Sequence, residues 1–60
     1  MNYHIKKFED GYWSITEWYH GTDINVAHGW MATASRSFPD TIYRVIDDTD
    51  PLAPKNVKGV

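Results

Sequence analysis

Residues 3–19 have the sequence YHIKKFEDGYWSITEWY, and this stretch decides how the rest of the chain is interpreted. Two runs rich in aromatic and β-branched residues, 3–8 and 12–19, flank Glu9-Asp10-Gly11. Such runs favour β-strands, and a short segment containing glycine between them is a turn signal. The stretch therefore predicts a β-hairpin.

The length of the hairpin loop determines which side chains share a face, because a slip of one residue reverses the facing of a strand. A two-residue Asp10-Gly11 turn would mix polar and apolar residues on each face. A three-residue loop with Gly11 in the left-handed conformation places Ile5 opposite Ile15 and separates the aliphatic side chains better. We therefore predict the three-residue loop. One face then carries Tyr3, Ile5, Trp13, Ile15 and Tyr19, and the other carries His4, Lys6, Phe8, Tyr12, Ser14, Thr16 and Trp18.

Residues 24–35 are compatible with two structures. A helix would place apolar residues at helical spacing, but Gly29 inside it would cost about 1 kcal/mol. A strand is supported by the alternation over 30–34, where two alanines on one face would let a helix pack closely. We predict a strand with an irregular start or bulge near His28-Gly29. The helix remains the alternative, with its apolar positions at Ile24, Ala27, Met31, Ala34 and Phe38.

Residues 37–48 begin with features of a helix N-terminus. Ser37 is a capping residue, Pro39 follows early, and Asp40 lies three residues after the cap. An apolar stripe then predicts one buried helix face, formed by Phe38, Ile42, Val45 and Ile46. We predict a helix here. The alternative is a strand over 41–46, because threonine, isoleucine and valine favour sheets.

Together these elements predict an α+β fold, a three-stranded antiparallel sheet with one C-terminal helix packed on one face. Sixty residues suffice for one domain. We expect a single small βββα domain over residues 1–48 and a flexible C-terminal tail over 49–60, where prolines end the regular structure.

Composition and spacing argue against most chemistries. The chain has no cysteine, which excludes disulfides and thiolate zinc sites and fits a cytoplasmic location. The histidines at positions 4, 20 and 28 form no short ligand pair, and the acidic run at 47–50 lacks the glycine and glutamate of a calcium loop. The glycines form no phosphate-binding loop. We expect no enzyme, no metal and no cofactor.

Nine aromatic side chains point to a binding function. Each can bury about 150–250 Å², so a domain this small cannot hide all of them. The sheet face away from the helix would display Phe8, Tyr12 and Trp18 beside Lys6, unless the tail or the 20–29 loop covers these rings. Exposed apolar patches mark interaction sites, so we predict these four as partner-binding residues.

The partner predicted for this patch is a protein or a second copy of the chain. Nucleic acid is the alternative, because bases could stack on the rings beside Lys6. It is disfavoured by six basic against eight acidic residues, a net charge of −2. No apolar run is long enough to span a membrane, so we expect no membrane partner.

The order of hairpin, alternating strand and the segment Ser-Phe-Pro-Asp-Thr-Ile-Tyr-Arg-Val-Ile (37–46) resembles two groups of proteins. One is the HicB-like antitoxin domains, and the other is the arm-binding domain of phage integrases. More generally the chain looks like a small phage or prophage accessory protein. This resemblance implies a binding role in the host cytoplasm, directed at a host or partner protein.

Overall fold

The computed structural model describes residues 1–54, which form a three-stranded antiparallel sheet with one helix on one face. In chain order the elements are β1 (Tyr3–Glu9), β2 (Tyr12–Gly21), α1 (Ile24–Ser37) and β3 (Ile42–Asp47). The strand order is β2-β1-β3, so the first strand is central and antiparallel to both neighbours. The predicted α+β fold is confirmed. The helix, however, lies between the second and third strands and not at the C-terminus.

The strand predicted over 24–35 is wrong, and its alternative, the helix, is correct. Asp23 caps α1, because its side chain accepts hydrogen bonds from the backbone N–H groups of Asn25 (2.9 Å) and Val26 (3.2 Å). Ala27 and Ala34 are fully buried and lie seven residues apart, on one helix face. Small side chains at these positions let the helix pack closely on the sheet. This packing outweighs the alternation over 30–34 that favoured a strand.

The helix predicted over 37–48 is also wrong, and the alternative strand is correct. The helix that precedes it ends at Ser37, and the backbone N–H of Phe38 donates to the carbonyl of Ala34 at 2.9 Å. Pro39 therefore follows a helix end, where proline is common, and does not begin a new helix. The β-branched residues after it form β3, which pairs with β1 along its whole length.

The hairpin has a two-residue turn, so the predicted three-residue loop is wrong. Asp10 has φ 58° and Gly11 has φ 91°, which is the backbone of a type I′ turn. This turn matches the twist of the two strands, and Asp-Gly is one of the few sequences that form it readily. Phe8 consequently pairs with Trp13. The chemistry of the turn outweighs the better separation of aliphatic side chains that favoured the longer loop.

An irregularity in β2 changes the facing of its second half. Lys6 pairs with Ile15 but His4 pairs with His20, so the four residues 16–19 lie opposite Ile5 alone. The buried Thr16 stabilises this bulge, since its hydroxyl donates to the carbonyl of Ile5 at 2.7 Å. The bulge allows later side chains of β2 to reach the helix side of the sheet.

The core lies between the sheet and α1. Its buried residues are Ile5, Ala34 and Tyr43, and four partly buried side chains pack against them: Trp18, Tyr19, Met31 and Val45. The segment after β3 contacts β1, because Asp50 binds Lys6 and Ala53 is buried. These two residues belong to the predicted flexible tail, of which residues 55–60 lie outside the described residues.

Candidate functional site

A cluster of aromatic rings surrounds Trp18 on the helix side of the sheet. The ring centroid of Trp18 lies 6.4 Å from Trp30 of α1, 6.3 Å from Phe38 at the end of α1, and 6.5 Å from Tyr43 of β3. These distances and the tilted or edge-on ring orientations are those of favourable aromatic pairs. Trp18 reaches this position because it is one of the four residues, 16–19, that form the bulge in β2.

An open groove of about 690 Å³ lies along this cluster, and we refer to it as the aromatic groove. Its aromatic wall is formed by Trp18, Trp30, Phe38 and Tyr43. Tyr43 is buried, but Trp30 is 45% exposed and Phe38 is 54% exposed. The core thus uses only part of these two rings, and the remaining ring surface faces the groove and solvent.

The charged residues of the aromatic groove are Lys7, Glu9 and Glu17, one positive and two negative groups. Lys7 Nζ lies 2.9 Å from Glu9 Oε1, and this hydrogen bond, with the nearby negative charge, raises the pKa of Lys7. Lys7 and Glu9 therefore offset each other. Glu17 supplies the remaining charge of −1, and its side chain is 89% exposed.

The four side chains predicted to form one binding patch do not share a surface. Lys6 and Phe8 lie on the face away from the helix, where the Phe8 and Trp13 rings are 5.2 Å apart. Tyr12 is 63% exposed but pairs with Glu9, so strand alternation places it on the opposite face from Phe8. Trp18 lies in the aromatic groove. The two-residue turn and the bulge separate the predicted patch, and binding by each of these residues stays a prediction.

The two exposed rings of the aromatic groove, Trp30 and Phe38, were not among the predicted site residues. The strand prediction assigned Trp30 to a sheet, and the helix prediction assigned Phe38 to a buried stripe. A helical signal was present, since Trp30, Ala34 and Phe38 follow one another at intervals of four. It could be recognised only with α1 in its correct place.

A chain of hydrogen bonds runs from Glu17 through two histidines to Asp48. His20 Nε2 lies 3.2 Å from Glu17 Oε1, the two Nδ1 atoms of His20 and His4 are 2.7 Å apart, and His4 Nε2 is 2.8 Å from Asp48 Oδ1. Donation from His4, together with the Asn2 backbone N–H, lowers the pKa of Asp48. An ionised carboxylate can only accept, so each Nε2 carries a proton.

The contact between the two Nδ1 atoms has room for one proton, because two N–H groups pointing at each other would collide at 2.7 Å. One Nδ1 atom therefore donates in this contact and the other accepts. Their spacing of sixteen residues gave no signal in the sequence. The chain of hydrogen bonds from Glu17 to Asp48 links β1, β2 and the segment after β3.

Within residues 1–54, no group of three or more histidine, cysteine, aspartate or glutamate side chains is placed to hold a metal ion. The described helix is too short and too polar to cross a membrane.

Comparison with protein-family models, with curated proteins and with solved structures finds no match to this chain.

Proposed function

We propose that this protein is a small non-enzymatic interaction module that binds a protein partner through the aromatic groove. The observation that carries this proposal is the half-exposure of Trp30 and Phe38 beside a groove already lined by Trp18 and Tyr43. Large apolar side chains exposed together mark interaction sites, and aromatic residues are enriched at the centres of interfaces. A phage or prophage origin and a host-protein target remain predictions from the resemblance.

The groove suits a protein segment that inserts an apolar side chain. Its volume of about 690 Å³ exceeds that of any single side chain, so an anchor and its neighbours could enter together. The Trp18 ring, held on three sides by other rings, offers a rigid floor for such an anchor. Binding to a preorganised surface costs less conformational entropy than binding to a mobile one.

The proposal is tested by selecting peptides from a displayed library on the immobilised protein and measuring their affinity for two variants. Phe38→Ala removes an exposed groove ring, and the backbone hydrogen bond from residue 38 to Ala34 is retained. Tyr12→Ala is the matched control, because Tyr12 is an exposed ring outside the lining of the groove. We expect Phe38→Ala to weaken binding by about tenfold or more, as for an interface hot spot, and Tyr12→Ala to leave it unchanged.

The opposite result, binding lost with Tyr12→Ala and kept with Phe38→Ala, would place the binding site at the hairpin end of the sheet and outside the aromatic groove. Selection that yields no peptide dependent on Phe38 would reject the groove as a protein-binding site. Oligonucleotide binding that falls steeply with salt would favour the nucleic-acid alternative.

A further inference from the structure

On the face of the sheet away from the helix, Lys6 makes both a cation–π contact and a charged hydrogen bond. Lys6 Nζ lies 4.7 Å from the ring centroid of Trp13 and 3.0 Å from Asp50 Oδ2. A cation over an indole ring is attracted by the negative face of the ring, and a carboxylate adds a charged hydrogen bond. Here a lysine, a tryptophan and an aspartate of the same chain complete the arrangement.

The aromatic groove contains two of these three components. Trp30 supplies an indole ring that is 45% exposed, and Glu17 supplies a carboxylate with an 89% exposed side chain. Both residues line the groove. The cation among its lining residues, Lys7, is held by Glu9 at 2.9 Å.

Glu17 has capacity for a second donor. His20 Nε2 contacts its Oε1 atom at 3.2 Å, which leaves lone pairs on both carboxylate oxygens. A guanidinium or ammonium group could bind there without displacing the histidine. An acidic segment or a phosphate would instead be opposed by Glu17 and by the net charge of −2.

We propose that the partner segment carries an arginine or lysine next to its apolar anchor, and that this cation lies against the exposed groove rings with Glu17 as its counter-ion. The inference rests on the proposed function, since it names the chemistry of the segment that the aromatic groove binds. Arginine fits best, because its planar guanidinium can stack on a ring and donate to a carboxylate at the same time.

The test uses the peptides selected on the wild-type protein and measures binding by calorimetry. Each basic residue of a peptide is replaced in turn by a neutral isostere, citrulline for arginine or norleucine for lysine. The protein variant is Glu17→Gln, in which the amide oxygen can still accept from His20. Asp10→Asn is its matched control, because it removes the same charge at the hairpin turn, outside the groove lining, and asparagine tolerates a positive φ.

We expect the selected peptides to contain a basic residue beside an apolar one. Glu17→Gln should weaken their binding by about five- to tenfold, whereas Asp10→Asn should change it less than twofold. Glu17→Gln should have no effect on the peptide whose basic residue is neutralised, because the two changes remove the same interaction. Thermal unfolding of Glu17→Gln should match the wild type, since the side chain is exposed.

Two negative outcomes are distinguishable. In the first, the peptides lose affinity for Phe38→Ala, but they contain no cation or they bind Glu17→Gln as tightly as the wild type. This outcome would overturn the inference and leave the proposed function standing. Peptides whose binding is independent of Phe38 would reject the proposed function, and the inference with it.

Discussion

Replacing Gly29 with alanine tests whether α1 is a helix with an open outer face. Gly29 lies inside α1, and apart from its chain neighbours and the adjacent helix backbone no heavy atom of the described residues lies within 4 Å of where its Cβ would be. Alanine is therefore accommodated without strain. It is the best helix former, and glycine in a helix interior costs about 0.5–1 kcal/mol relative to it.

We expect Gly29→Ala to raise the free energy of unfolding by about 0.5–1 kcal/mol. For a domain of this size, 1 kcal/mol corresponds to a Tm change of about 4–8 °C, so the increase is measurable by circular dichroism during heating. Urea unfolding at constant temperature supplies the same quantity independently of the enthalpy.

Gly11→Ala is the matched comparison. A Cβ atom at Gly11 also meets open space, but its φ of 91° is one that side chains rarely adopt. We expect this variant to lose about 1 kcal/mol or more, so the two substitutions should have opposite signs. A fall in stability with Gly29→Ala would refute the helix over residues 24–37 with an open face at position 29.

Two further predictions concern Thr16 of β2 and Asp48. Thr16→Val leaves the buried Ile5 carbonyl without its 2.7 Å donor, and urea unfolding should show a loss of about 1–3 kcal/mol; an unchanged midpoint would mean that Thr16 does not hold the bulge. The pKa of Asp48 in the folded protein lies below its ordinary 3.8, so the ionised carboxylate stabilises the fold above that value, and this contribution is lost as pH falls through the folded pKa. In Asp48→Asn the free energy of unfolding should therefore depend less steeply on pH below about 4. An equally steep dependence would contradict the contact between Asp48 and His4.

The hairpin and the fold class could be predicted because their signals are local. Two runs of β-forming residues around Asp10-Gly11 suffice for the hairpin. The errors over residues 24–48 arose where one residue type is common in two different structural positions. Proline follows helix ends as well as occupying first turns, so Pro39 did not distinguish the two structures. Asp23 was a valid helix cap, and greater weight on it would have favoured the correct assignment.

The arrangement of the site depends on contacts between residues distant in sequence. The bulge in β2 is stabilised by Thr16 bonding to Ile5, eleven residues earlier. Local propensity contains no information about such a contact. Trp18 was predicted as a binding residue and lies in the aromatic groove, but its neighbours there are Trp30 and Phe38 and not the predicted Phe8 and Tyr12.

The bulge at residues 16–19 also affects how this sheet meets other chains. Within residues 1–54 both outer strands, β2 and β3, are edge strands, and an edge strand invites pairing with a second chain. The bulge interrupts the regular row of backbone donors and acceptors on β2, which opposes strand addition and aggregation there. β3 pairs with β1 over all six residues without a register shift, so its outer edge is regular. Any extension of the sheet by another strand, native or pathological, is therefore expected to begin at β3.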